Sequence, residues 1–254
     1  FMNKLRQEGN KYFIGSDKHF QNGNTFKNET IKKVFDFSYA MAFGDGKHRE
    51  HRSGGSMNRK KGQIFINTFQ GKLSELAIYN RFKVSNSVAY NKLSLPDFDV
   101  YGLGEWDDSD IILDDLKFSI KSTKFFGNLL LLETKDWNKK GEYVPNMSLA
   151  EKSCLYDYFV LVRIKPDGEK IMRSNKILYS NDIEEEELHS IIVSENWEYD
   201  IPGYITSDDL RLIINGNFVI PRGALLNGST PMDAENYYIQ SGDMKDFNSL
   251  ISNL

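Results

Sequence analysis

The chain has 254 residues, 40% hydrophobic and 27% charged, with 32 Lys and Arg against 36 Asp and Glu for a formal net charge of −4. This is the composition of a folded chain long enough to bury a real core, as one large domain or one domain with an insertion; mild acidity argues against a nucleic-acid binder for the chain as a whole, but local basic patches matter more. One cysteine, Cys154, and four scattered histidines exclude an intramolecular disulfide and a cysteine-built zinc site and point to a reducing compartment, the cytoplasm, while no apolar run approaches a membrane span and no secretory signal is visible.

Residues 2–30 are polar, rich in Lys, Asn and Gly, and read as an irregular arm or a weak helix. Over 30–43 the apolar residues Ile31, Val34, Phe35, Phe37 and Met41 recur near helical spacing, with Thr30 or Asn28 available as a cap. Residues 44–62 are the most basic stretch, carrying Lys47, Arg49, Arg52, Arg59, Lys60 and Lys61 beside His48 and His51. Such a run is either a solvated surface loop or an arm that contacts DNA phosphates or enters a groove. In 63–84, Gln70-Gly71 breaks an apolar segment and a helix follows. Leu73, Leu76, Ala77 and Phe82 suit its buried stripe, and Glu75 and Tyr79 share another face. A loop and a possible strand at 97–102 lead to the stretch 110–124.

That stretch, DIILDDLKFSIKSTK, predicts a β-hairpin: residues 110–113 as one arm, Asp114-Asp115 as a tight turn, and 116–123 as the other. A two-residue turn pairs Leu113 with Leu116 and, counting outward, Asp110 with Ser119. Side chains alternate along a strand, so Ser119 and Lys121 point the same way and form one polar cluster with Asp110. A carboxylate and an amine held there can bind a divalent metal and place a water or a phosphate. The same residues also fit a solvated salt bridge on an ordinary hairpin.

Beyond the hairpin, residues 128–144 hold a leucine run and a second acidic-x-lysine triplet, Glu133-Thr134-Lys135. Residues 156–164 (YDYFVLVRI) predict a buried strand, followed by the turn signal Pro166-Asp167-Gly168. The acidic run 182–187 reads as a helix start or a solvated loop. Residues 199–214 read as a turn and a short helix with Ser207 as cap, and 217–254 as loops ending in a short amphipathic helix. The whole of 182–254 is thus expected to be a loop-rich C-terminal region. No internal repeat or low-complexity linker interrupts the chain.

A helix glutamate followed by an acidic hairpin ending in x-x-Lys is the order found here: Gly71 and Glu75 in QGKLSELAIYNRF, Asp110 in SDIIL, Lys121 in FSIKST, then the strand YDYFVLVRI. On these residues the chain resembles type II restriction endonucleases of the PD-(D/E)XK nuclease superfamily, over about 60–165. The resemblance implies an α/β fold, a central mixed β-sheet flanked by helices, with the hairpin strands central and the Glu75 helix packed on them. It implies a single nuclease domain over 1–254 with its core at about 60–165, and 44–62 as a DNA-contacting loop. Asp110 would be the metal-binding aspartate, Lys121 the lysine that orients or activates the attacking water, and Glu75 the helix carboxylate that completes or modulates the metal site. The family's second acidic position falls on Ser119, which is neutral. Ser119 would then act through its hydroxyl or a bridging water while the Ile120 carbonyl supplies an oxygen. Alternatively the carboxylate has migrated, and Glu133 is the nearest candidate if the chain reverses near Phe126-Gly127-Asn128.

The function so implied is Mg²⁺-dependent, sequence-specific hydrolysis of double-stranded DNA, with Mn²⁺ able to substitute. A palindromic site would favour a two-fold homodimer. The rival readings are a repair or branched-DNA nuclease of the same fold, a DNA-binding protein that has lost catalysis, and a sugar- or nucleotide-processing enzyme. The last lacks support, since there is no GxGxxG after a strand and no GxxxxGK[ST].

Overall fold

The computed structural model describes residues 2–44, 59–98, 111–148 and 153–254. The chain opens with a small hairpin, β1 (Arg6–Glu8) and β2 (Lys11–Phe13), where an irregular arm was expected. Helix α1 (Asn28–Phe43) follows, burying Ile31, Val34, Phe35 and Met41. Its N-cap is Lys27, without a side-chain cap bond, rather than Asn28 or Thr30.

Helix α2 (Lys61–Ser85) runs unbroken through Gln70-Gly71, where a break was expected. Glycine inside a helix costs about 1 kcal/mol relative to alanine. Here Phe65, Phe69, Leu73, Ala77 and Phe82 on both sides of Gly71 are fully buried, and their packing outweighs that cost. Gly62 has a different role. A Cβ there would lie 2.2 Å from the Ile177 carbonyl oxygen, so only glycine lets α2 start against that main chain.

After a single turn of helix, α3 (Ser87–Tyr90), the predicted hairpin is present as β3 (Ile111–Leu113) and β4 (Leu116–Lys124). Leu113 faces Leu116 and Ile111 faces Phe118, the expected register. Asp114 adopts φ 52°, a left-handed turn position that aspartate tolerates. The order across the main sheet is β3-β4-β6-β7, with β6 (Tyr158–Lys165) parallel to β4 and β7 (Glu198–Thr206) antiparallel to β6. Among the described strands β4 is therefore internal, but β3 is an edge strand. The hairpin is half central, not wholly so.

The leucine run forms β5 (Leu129–Glu133), which joins a second sheet rather than pairing with β4. Then come α4 (Gly168–Ser174) and α5 (Glu185–Val193), the latter starting in the acidic run. Residues 199–206, expected to hold a turn, are strand β7 instead. Pro202 is accommodated because it falls where the β6–β7 register shifts between Leu161 and Arg163, a bulge in which its missing N–H breaks no ladder bond. Helix α6 (Ser207–Asn215) is capped by Thr206, one residue before the expected Ser207.

The C-terminal region is not loop-rich. It supplies β8 (Val219–Ile220), β9 (Leu225–Leu226), β10 (Thr230–Pro231), β11 (Asn236–Gln240) and α7 (Phe247–Asn253). Strand β11 bridges β5 and β8 in the second sheet, and β9 joins β2 to β10 in a third.

The main sheet is buried on both faces. Val160, Val162 and Ile164 of β6 face the core shared with α1, α2, α5 and α7. Phe159 and Leu161 face the opposite way, into a second core with β5, β11 and α6. The fold is thus mixed α/β, with helices on one face of a mixed sheet and a second sheet with α6 on the other. No helix among the described residues is long and apolar enough to cross a membrane.

Candidate functional site

Strand β4 sorts its side chains by alternation. Phe118 and Ile120 enter the helix-side core, where the Phe118 ring stands 6.1 Å from Phe82 of α2. Ser119 and Lys121 pair in register with Phe159 and Leu161, whose side chains belong to the second core. Ser119 and Lys121 therefore share the face that looks toward β5, Ser119 buried and Lys121 partly exposed. Asp110, one residue before β3, lies outside the described residues, as do Lys47, Arg49 and Arg52. Ile120 has its side chain in the core, so only its main chain can serve a site.

Two carboxylates gather on the Lys121 side. Glu133 ends β5, and a single 3₁₀ turn, Thr134–Asp136, carries the chain on to Trp137, which is packed in the second core. Residues three apart in such a turn eclipse one another, which sets Asp136 beside Glu133. Burial, with Glu133 next to it, holds the Asp136 carboxyl above its ordinary pKa, against the pull of Lys135 and Lys121. Glu133 is nearly buried and makes an ion pair with Lys135 at 2.8 Å, though the Lys135 ammonium approaches its Oε2 outside hydrogen-bonding geometry.

This donor set fits a hard divalent cation. Mg²⁺ takes oxygen ligands, often one or two carboxylates plus waters and substrate phosphate. Burial first and the Glu133 carboxylate second raise the Asp136 pKa, and a cation between the two carboxylates would relieve the second of these. Among the described residues no group of three or more His, Cys, Asp or Glu side chains converges, so Glu133 and Asp136 would be the carboxylates that hold it.

Glu75 stands on α2, which packs on the other face of the sheet from Lys121. Its carboxylate takes the Lys72 ammonium at 2.5 Å, and the same ammonium donates to the Asp97 carbonyl at 2.7 Å. Lys72 is buried, with its ammonium 5.1 Å from the centre of the Phe37 ring and 5.6 Å from that of Phe98. Tyr79, two turns further along α2, bonds the Ser94 carbonyl at 2.6 Å, and Ser94 in turn exchanges hydrogen bonds with Ile112 of β3. Glu75 is thus part of a brace that fastens residues 94–97 alongside the hairpin.

The described remnant of the basic stretch divides. Arg59 is half-buried, and burial lowers its pKa against the fields of Asp233, Glu133 and Glu169. Lys60 is exposed, and its main chain caps α2 through the Gln63 side chain at 3.0 Å. Lys61 is partly buried, with its ammonium 5.9 Å from the Phe43 ring centre.

Sequence reasoning missed Asp136 and Lys72. The signal for Asp136 was present: an acidic residue three positions after Glu133, directly beyond a strand, lands on the same side if the chain turns tightly. No protein-family model matches the chain, and neither a curated protein nor a solved structure gives a significant match.

Proposed function

We propose that the chain is a Mg²⁺-dependent, sequence-specific endonuclease for double-stranded DNA, of the PD-(D/E)XK type and built like a type II restriction enzyme. The observation that supports this reading is Asp136, beside Glu133 and within the field of Lys121, which shares one face of β4 with Ser119. In place of the expected acid at Ser119, the acidic function comes from the Glu133–Asp136 pair. Mn²⁺ would substitute for Mg²⁺, and a homodimer would match a palindromic site. The single cysteine fits a reducing compartment such as the cytoplasm.

Phosphodiester hydrolysis needs a placed water, a stabilised phosphorane and a stabilised leaving oxygen. The bound cation would supply Lewis-acid stabilisation of the charge that builds on the phosphate oxygens. Lys121, held in register with Leu161 of β6, clamps a non-bridging oxygen and orients the water against phosphorus. The Ser119 hydroxyl, two residues away on the same face, steadies that water or a cation-bound one.

A second reading has its own observation. Ser119 is neutral where the family carries an acid, as expected of a DNA-binding protein that no longer cleaves. Incubating the purified protein with supercoiled plasmid and Mg²⁺ separates the readings. Discrete fragments are expected. A smear indicates a repair or nonspecific nuclease, and retarded but intact plasmid indicates binding alone.

A further inference from the structure

A cleft of about 390 Å³ lies between the start of α2, the end of β4 and the start of α4. Arg59 and Lys124 bring two cations to it, Asn67 and Gln70 line it from α2, and Thr123 lines it from β4. Lys124 is held in place by Glu169 at 2.6 Å and Asp167 at 3.5 Å, so the carboxylate nearest the cleft, Glu169, is already neutralised. Among the described residues, the Asn67 carboxamide and the Thr123 hydroxyl have no hydrogen-bond partner. The Gln70 Oε1 accepts from the Gly168 N–H at 3.3 Å, which leaves its NH₂ group as a donor.

The lining is rich in hydrogen-bond donors, with Arg59 and Lys124 as cations and the Glu169 carboxylate engaged by Lys124. Arg, Lys, Ser, Thr, Asn and Gln side chains are the ones that contact phosphate oxygens in nucleic-acid complexes. Position adds to chemistry. Thr123 is two residues beyond Lys121 on the same face of β4, about 6.6 Å along the strand. A strand of nucleic acid with one phosphate at Lys121 would bring a neighbouring phosphate to the cleft.

We propose that this cleft binds a backbone phosphate of the DNA strand, adjacent to the phosphate that Lys121 meets. The assignment rests on the nuclease reading and adds Asn67 and Thr123 to the residues that hold the strand. It makes the cleft a positioning contact that carries no sequence information.

The test is the affinity of a fluorescent duplex measured by anisotropy in Ca²⁺, across a salt titration, for the wild type, Asn67→Ala, Thr123→Val and Arg59→Gln. Asn67→Ala and Thr123→Val are each expected to weaken binding by about two- to tenfold, equally on duplexes of unrelated sequence. Arg59→Gln is expected to reduce the slope of log affinity against log salt by about 0.9. Wild-type affinity and slope in all three variants would overturn the assignment while leaving the nuclease reading intact. A loss confined to one sequence would overturn it in favour of a base-edge contact. Failure of the wild type to bind duplex would instead remove the nuclease reading itself. Melting curves check folding, and should Thr123→Val fail to fold, Asn67→Ala at a half-buried position of α2 decides alone.

Discussion

Lys121 and Ser119 do different work from the same strand face. On the proposed function Lys121 is the cation that would meet the phosphate, while Ser119, buried beside it, would contribute at most a hydroxyl. Ser119→Ala is therefore expected to retain substantial cleavage, whereas Asp136→Asn or Glu133→Gln should lower it on the order of 100-fold and demand more Mg²⁺. Glu75→Gln should cost less than about tenfold, because a carboxamide oxygen still accepts from Lys72. Cleavage rates of the four variants over a range of Mg²⁺ concentrations check all of this together. A dead Ser119→Ala beside an unaffected Asp136→Asn would move the site to the serine. The shared face of Ser119 and Lys121 was legible in the sequence because a strand has an exact side-chain period of two. Asp136 was legible only through its spacing of three from Glu133, which tells nothing unless the chain turns tightly after the strand, as the 3₁₀ turn makes it do.

At the scale of elements, local signals worked where a segment supplies its own partner. The hairpin register followed from Asp114-Asp115, and β6 from its run of β-branched and aromatic residues. Signals failed where the partner is remote. β9 and β10 are two residues each, and β9 pairs with β2 across more than half of the chain. No window of sequence contains that pairing. Pro202-Gly203 misled for a related reason, since whether a proline sits in a turn or in the bulge of a strand is decided by neighbours it does not choose. Helix α6 shows a local device that works. Thr206 Oγ1 accepts from the Asp209 N–H at 3.2 Å, while Asp209 Oδ2 takes the Thr206 N–H at 2.8 Å and the Lys245 ammonium at 2.6 Å. Burial pushes the Asp209 pKa upward, but these hydrogen bonds outweigh it and the net shift is downward. A depressed folded-state pKa gives stability that is present above the unfolded value of about 3.9 and is lost as pH falls through the folded one. Asp209→Asn should accordingly destabilise the protein at pH 7, by about 1 kcal/mol for the cap, and the gap to wild type should close as the pH falls through the depressed folded-state pKa. Urea unfolding of the two proteins across that range measures it, and a gap independent of pH would contradict the account.

Across the whole molecule, one buried cation ties together segments that are far apart in sequence. Arg163 of β6 forms a two-pronged pair with Asp200 of β7, Nε to Oδ1 at 2.8 Å and Nη2 to Oδ2 at 2.6 Å. Its remaining donors reach the Lys18 carbonyl at 2.6 Å, the His19 carbonyl at 3.1 Å and Asn128 Oδ1 at 3.0 Å. The N-terminal arm, the turn before β5 and the main sheet are thus locked to one guanidinium. A buried pair of this kind adds little over an apolar substitute, but losing one partner strands a charge. Asp200→Ala should cost about 3–5 kcal/mol in urea unfolding, and a loss under about 1 kcal/mol would show that the guanidinium is not the lock. Because β5 leads directly to Glu133 and Asp136, this lock also sets where the second sheet meets Lys121.

The measurement that bears most directly on the central claim is cleavage of plasmid DNA by wild type and by Lys121→Ala, side by side, with and without Mg²⁺. The account predicts discrete fragments from the wild type only when Mg²⁺ is present. It predicts none from Lys121→Ala, which should still bind the same DNA within about tenfold of wild type. Fragments from Lys121→Ala at the wild-type rate would contradict it.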